Sequence, residues 1–399
     1  MKPWTVMAYI VADPDENNQE LNAAANAELQ AIAHAAAKYP REMHVVSQVD
    51  FNGQRGIFRQ VMDDNGVPTL TQSGCEVDST PGDRDVVRQF LAWASKQFPA
   101  ERRVVLFWGH SFGPAGMFQT DKAAKESVII RPHRFRAAET RPITRILNMA
   151  DLASALGAAA GPDAHKVDLV IFKDCAMNTL ETAFELQSIA DFQIGSQSLI
   201  PVHLTTEVNG VRPPSVWPYE KLFGALAAHS HAETAKPAAT QMLHTLGDFY
   251  KVKEHLGQNT DVPVTLIDLQ KLTDVRVRVN AFVHALKDLN ILERSEKISS
   301  AFAGDPALVD VERVCAQFRH MPAAGALREA VAHHVVAHAS RTHDFTGLSV
   351  FYRAPGLGIQ GIVMPTMFPL NYSTLRFART TTWDDLAFET NPISEFANL

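Results

Sequence analysis

Apolar residues follow two rhythms along this chain. Short runs that are apolar at nearly every position alternate, from residue 4 onward, with longer segments in which apolar residues return every three or four positions. The first kind, rich in Val, Ile, Phe and Trp, predicts buried strands at residues 4–11, 43–49, 103–108, 167–172 and 192–196. The second predicts helices at 20–38, 83–97, 143–160 and 177–189. Strands separated by helices imply right-handed crossovers, hence an α/β fold with a mostly parallel sheet and helices on both faces. Residues 53–72 interrupt the alternation and predict a short hairpin with Asn65-Gly66 as its turn.

Two stretches lack either rhythm. Residues 119–142 combine lysines and arginines with two prolines, which predicts a long exposed basic loop. Residues 200–219 are proline-rich and polar, as expected for a rim segment. Beyond them, helices are expected at 221–256, 275–289 and 323–339, with short strands at 264–268 and 347–352. The chain therefore divides into residues 1–220, holding the main sheet, and 221–399, a smaller C-terminal α/β portion.

Composition narrows the function. At 399 residues and 46% hydrophobic content the chain can bury one large core or two moderate ones. A formal charge of −7 with no long basic run argues against a nucleic-acid surface, and no apolar stretch is long enough for a membrane span. Polypeptide or small-molecule partners fit better; the oligomeric state is not encoded legibly. The three cysteines, Cys75, Cys175 and Cys315, lie too far apart for paired metal or redox motifs, so a reducing compartment is expected. The N-terminus has a lysine before an apolar run, but acids follow and a small-residue cleavage site is missing. It reads as the first strand, and the expected location is cytoplasmic.

Two nucleophiles compete. Cys175 follows the run Leu169–Phe172, where a strand stops and a helix is expected to begin; helix-start amides favour negative charge and would lower a thiol's pKa. Ser111 lies in Gly109-His110-Ser111-Phe112-Gly113, which matches the G-x-S-x-G elbow of serine hydrolases. That elbow needs a helix after its second glycine, whereas Pro114, Ala115 and Gly116 follow here. Alternatively His110 is the working residue: a histidine and a cysteine ending two strands of one sheet can face the same edge, the imidazole taking the thiol proton. An inert core cysteine is the bland alternative.

The order of several segments resembles the clostripain family of cysteine peptidases, which has the caspase-like fold. WTVMAYIVAD with ELNAAANAELQAI resembles the family's opening strand and helix, and VVLFWGHSFG its histidine segment. VDLVIFKDCAMNTLETAFELQSIADFQIGSQ resembles its cysteine segment, and Trp217-Pro218-Tyr219, GLSVFYRAPG and LRFARTTTWDDL also have counterparts. The resemblance implies a cysteine endopeptidase with His110 as general base and acid, Cys175 as nucleophile, and the Ser111 and Cys175 N–H groups as oxyanion hole. It implies that Ser196, Gln197 and Trp217 line the substrate cleft, and that the 119–142 loop, where some relatives cut themselves, is a site of self-processing. An inactive caspase-like binding scaffold is the rival within the same fold.

This chain departs from the family pattern at two positions. Ser111 stands where glycine usually follows the histidine, so backbone strain is expected there. Lys173 stands where an aspartate selects basic residues beside the cleaved bond, and Asp174 occupies the small-residue position between it and the cysteine. Alternation along a strand would put Lys173 on the face of Cys175 and Asp174 on the other, reversing the pocket's charge and pointing to acidic substrates. No cofactor is expected; the cluster Asp13, Asp15, Glu16 and Asn17 is the one place suggestive of calcium, which some relatives require, but it lacks the EF-hand pattern. His333, His334 and His338 read as helix histidines rather than metal ligands, and Asp310, Glu312 and Arg313 as a charged helix face.

Overall fold

The structure, a computed structural model, describes residues 1–12, 19–51, 57–72, 82–119, 127–130, 139–142, 146–160, 165–207, 210–252, 261–270, 272–303, 305–352 and 372–388. In chain order its strands are β1 (Lys2–Val11), β2 (Met43–Asp50), β3 (Ile57–Met62), β4 (Pro68–Gln72), β5 (Ala100–Trp108), β6 (Met117–Gln119), β7 (Ser127–Ile130), β8 (Glu139–Pro142), β9 (Ile146–Leu147), β10 (Val167–Lys173), β11 (Ala190–Ser196), β12 (Val264–Asp268), β13 (Phe302–Ala303), β14 (Asp305–Asp310), β15 (Val335–Ala339) and β16 (Ser349–Phe351). The helices named below are α1 (Gln19–Ala36), α2 (Arg84–Gln97), α3 (Met149–Leu156), α4 (Leu180–Leu186), α5 (Tyr219–Ala228), α6 (Lys236–Lys251), α7 (Thr273–Leu286), α8 (Ile291–Ser299), α9 (Val311–Gln317) and α10 (Pro322–His334).

Nine strands form one sheet in the order β15-β12-β11-β10-β5-β1-β2-β3-β4. The five central strands run parallel, and the pairs at the two edges are antiparallel. A parallel sheet covered on both faces explains why its strands are apolar at consecutive positions. On β1, Met7, Tyr9 and Val11 pack with α2, α3, α4 and α7, while Val6, Ala8 and Ile10 pack with α1, α5 and α6. Each fully buried side chain of this size stabilises the fold by roughly 1.5–3 kcal/mol, so two such layers hold the strand ends in register. Residues 2–11 lie between β2 and β5 as an integral strand of the sheet.

Several sequence expectations change in the fold. The 323–339 helix stops at His334, and Val335–Ala339 becomes a strand on the sheet edge, because β-branched Val335 and Val336 suit a pleated surface. The 221–256 helix is two, α5 and α6, separated by residues 229–235 with Pro237 opening the second. The 143–160 helix is shorter, Met149–Leu156, capped by Asn148, whose side chain accepts from the Asp151 N–H at 2.9 Å. The basic loop contains a β7–β8 strand pair. Residues beyond 220 contribute β12 and β15 to the central sheet as well as a separate three-stranded sheet, β13-β14-β16. The hairpin turn at Asn65-Gly66 is present, with Gly66 at φ 77°.

Candidate active site

Three neighbouring parallel strands, β1, β5 and β10, end together at the carboxyl edge of the sheet, where open α/β folds place their sites. A cavity of about 50 Å³ opens there. Val11 from the end of β1, Trp108, Gly109 and His110 from the end of β5, and Lys173 and Cys175 from the end of β10 all face it. The segment Ile200, Pro201 and Val202, with Leu21 of α1, completes its lining. Gly109 lets the chain leave β5 this tightly: a Cβ there would lie 2.9 Å from the Val11 carbonyl oxygen and from the Phe118 ring.

The histidine and cysteine segments are tied to each other. The Ser111 hydroxyl donates to the Cys175 carbonyl at 2.6 Å, and Ser111 bridges to Met117 through the Phe112 N–H to Gly116 and Phe118 N–H to His110 bonds. Ser111 has no positive φ, so the strain expected of it is absent; Ala176, directly after the cysteine, takes that role at φ 54°. Two bonds clamp the turn containing it, from the Ala176 N–H to Ser198 O and from the Asn178 N–H to Ser196 O, both 3.0 Å. The Ile200 N–H points at the Cys175 sulfur, 3.4 Å away. Among the described residues, neither the Ser111 nor the Cys175 backbone N–H donates to another group.

The expected helix start at Cys175 is displaced. α4 begins at Leu180, capped by the Thr179 hydroxyl, so its amides cannot lower the thiol's pKa. Burial instead pushes the Cys175 thiol up to about 11, with the Ile200 N–H only partly opposing it. Asp174 is fully buried, and its carboxyl is pushed well above the usual range because the Gly109 N–H and the Lys173 charge do not offset desolvation.

Lys173 faces the cavity but its charge is not open to it. Its ammonium is ion-paired with Glu28 of α1, donates to the Ser215 carbonyl at 2.6 Å and lies 5.2 Å from the centre of the Trp217 ring. Burial pulls its pKa down while Glu28 holds it up. The pocket's charge is therefore neutralised rather than reversed. Glu28 escaped the sequence analysis, although the signal was present: it falls on the same helical stripe as Leu21, Ala25 and Ile32, where a carboxylate must find a partner.

The other expected cleft residues are buried and are not among those lining the cavity. Gln197 is fully buried, donating to Asp310 at 2.9 Å and Ser349 at 3.0 Å and accepting from the Gly347 N–H. Ser196 is fully buried and accepts from the Ser198 N–H, and Trp217 donates to the Tyr250 hydroxyl at 2.6 Å. Asp310 is not part of a solvated face: it is fully buried, caps α9 and collects bonds from Gln197, Thr346 and Arg313. His334 ends α10 and contacts the Asp268 carbonyl, while His338 lies on β15 beside Thr265, so they do not share a helix face. Among the described residues no three His, Cys, Asp or Glu side chains are grouped to hold a metal. The 13–17 acidic cluster and Cys75 lie outside the described residues.

The sequence profile of the clostripain family matches residues 8–305. The chain belongs to the clostripain family. As a clostripain-family member it is a cysteine endopeptidase, and the cavity with His110 and Cys175 in its wall falls inside the matched span. No curated protein matches it in sequence. Among solved structures it is similar to a secreted C11 cysteine protease from Bacteroides thetaiotaomicron in complex with an irreversible peptide inhibitor, at 18% identity and TM-score 0.63 over 96% of this chain and 100% of that one. An inactive zymogen C11 protease from Parabacteroides distasonis is similar at 15% identity and TM-score 0.63, over 95% and 98%. A second structure from B. thetaiotaomicron, named iotapain, gives 13% identity and TM-score 0.65, over 95% and 99%. These likenesses establish the caspase-like fold.

Proposed function

We propose that this clostripain-family chain hydrolyses peptide bonds through Cys175 as nucleophile and His110 as base and acid. The observation that carries the reading is the shared cavity: both side chains wall it, from strand ends that are adjacent in the sheet. The imidazole takes the thiol proton, and the thiolate attacks the scissile carbonyl. The unengaged Ser111 and Cys175 N–H groups receive the developing oxyanion. The imidazolium protonates the leaving amine, and His110 then activates the water that releases the acyl group. The reaction needs neither a metal nor a redox group. All these residues lie within 1–220, and 221–399 buttresses them through the sheet edge and the Asp310 cluster.

Ser111 is poorly suited to be the nucleophile, because its hydroxyl is committed to the Cys175 carbonyl and a 3-10 turn, Gly113–Ala115, follows it instead of a helix. A peptide library tests both: Cys175→Ala and His110→Ala lose turnover, while Ser111→Ala retains it. Turnover that survives Cys175→Ala overturns the thiol mechanism, and a wild type inert on every peptide favours the binding scaffold.

Self-processing within 119–142 is part of the proposal, supported by the position of that segment between histidine and cysteine. It predicts two fragments on long incubation of wild type and one intact chain for Cys175→Ala; identical intact chains would dismiss it. A cytoplasmic location is proposed alongside, tested by fractionation of the producing cell. Among the described residues no helix is long and apolar enough to cross a membrane.

A further inference from the structure

Next to the attacked thiol, the cavity must receive the side chain that precedes the cleaved bond. Its wall is apolar, formed by Val11, Leu21, Trp108, Ile200, Pro201 and Val202. Its single charged member is Lys173, whose buried ammonium is paired with Glu28, donates to the Ser215 carbonyl and lies 5.2 Å from the centre of the Trp217 ring. From this we infer that the pocket selects an uncharged, apolar side chain at the cleaved position, and that Glu28 is the residue that sets this choice by holding the Lys173 charge. The inference rests on the peptidase reading of the same cavity and deepens it.

Either charged alternative meets an obstacle here. A substrate carboxylate would have to compete with Glu28 and the Ser215 carbonyl for the buried Lys173 ammonium, and breaking the pair would strand the Glu28 anion among apolar side chains. A substrate ammonium or guanidinium would find no open carboxylate in the wall, because Glu28 is not among the lining residues and its carboxylate is already paired with the Lys173 ammonium. An apolar side chain displaces only weakly held water and strands nothing. The pair also spans 145 residues of sequence between α1 and the last residue of β10, so it fixes the cavity floor as a rigid unit. One consequence reaches the 119–142 segment: self-processing would follow an uncharged residue there, not one of its lysines or arginines.

The test is a positional-scanning peptide library with the intact chain, read as kcat/KM at each residue preceding the cut. Leu, Met or Ala is expected to exceed Arg, Lys, Asp and Glu by at least about a hundredfold, since a polar group left unpaired in a closed site costs more than the roughly 10–200-fold of a missing methylene. Lys173→Met, which frees the Glu28 carboxylate, is expected to raise turnover of Arg and Lys substrates at least tenfold relative to Leu. Glu28→Gln, which frees the ammonium, is expected to raise Asp and Glu in the same way. Cys175-dependent turnover confined to Arg or Lys, or to Asp or Glu, in wild type overturns the inference alone. Absence of any Cys175-dependent turnover overturns the peptidase reading and the inference with it. The wild-type profile decides even if either substitution prevents folding.

Discussion

Raising the pH should activate the resting Cys175 thiol steeply. Burial pushes its pKa to about 11 from an ordinary 9.0, the Ile200 N–H opposes this only in part, and no helix terminus offsets it. At pH 7 the thiolate fraction is then about 0.01%, against about 1% for the ordinary thiol, a roughly hundredfold deficit. Only the thiolate alkylates, so the rate should climb about tenfold per pH unit from 7 to 10. The assay is iodoacetamide labelling of the substrate-free chain at several pH values, with Cys175 resolved from Cys75 and Cys315 by peptide mapping. Cys315, whose thiol burial pushes up to about 12, is an internal control that should label more slowly still. A Cys175 rate that is fast and flat between pH 6 and 9 would refute the reasoning, since it means a thiolate–imidazolium pair already exists at rest. The predicted outcome instead leaves proton transfer to His110 until substrate binds.

Three further consequences can be measured. Glu181 is fully buried, accepts from the Phe351 N–H at 2.9 Å and the Tyr372 hydroxyl at 2.7 Å, and has its carboxyl pushed up to about 7 by burial. Because the folded-state value lies above the unfolded one, its neutral form's contribution is complete below about pH 4.5 and lost as the pH rises through 7. Glu181→Gln should therefore gain about 3 kcal/mol relative to wild type between pH 4.5 and 8 in denaturant titrations; an unchanged difference contradicts the burial argument. Asp310→Ala leaves the Gln197, Thr346 and Arg313 donors unpaired and should cost about 3–5 kcal/mol of stability, with loss of activity through the 196–200 segment that Gln197 anchors; less than 1 kcal/mol would show the cluster to be solvated. Ser111→Ala removes one bond to the Cys175 carbonyl and should lower kcat by about tenfold or less with KM unchanged, whereas a loss of a thousandfold would give Ser111 a chemical role.

The central strands were legible because each carries its own local signature: consecutive apolar positions in β1, β5 and β10 announce burial on both faces. Their ends were legible too, which is why His110 and Cys175 stand out before any contact is known. What local pattern could not convey was pairing over distance. β12 and β15 read as parts of a separate C-terminal unit, yet they complete the main sheet, because strand pairing is decided by partners far away in sequence. Val335 illustrates the same limit: it continues a helical period but is accommodated as a strand residue once Ile267 lies opposite. Lys173 was visible as an anomaly and Glu28 was not, although each explains the other; a lysine in a buried strand and a glutamate in a helix's apolar stripe are complementary faults that only the fold brings together. The thiol's environment was misread for a smaller reason, the four residues that separate Cys175 from the first turn of α4.

The identity of the nucleophile admits the most direct test. An irreversible thiol-directed peptide inhibitor, matched to the best library substrate, should form one adduct per chain, located at Cys175 by peptide mapping, and its formation should track the loss of activity. His110→Ala should slow adduct formation, and Cys175→Ala should abolish it. Complete inactivation with the adduct on Ser111, or on any residue other than Cys175, would contradict the account.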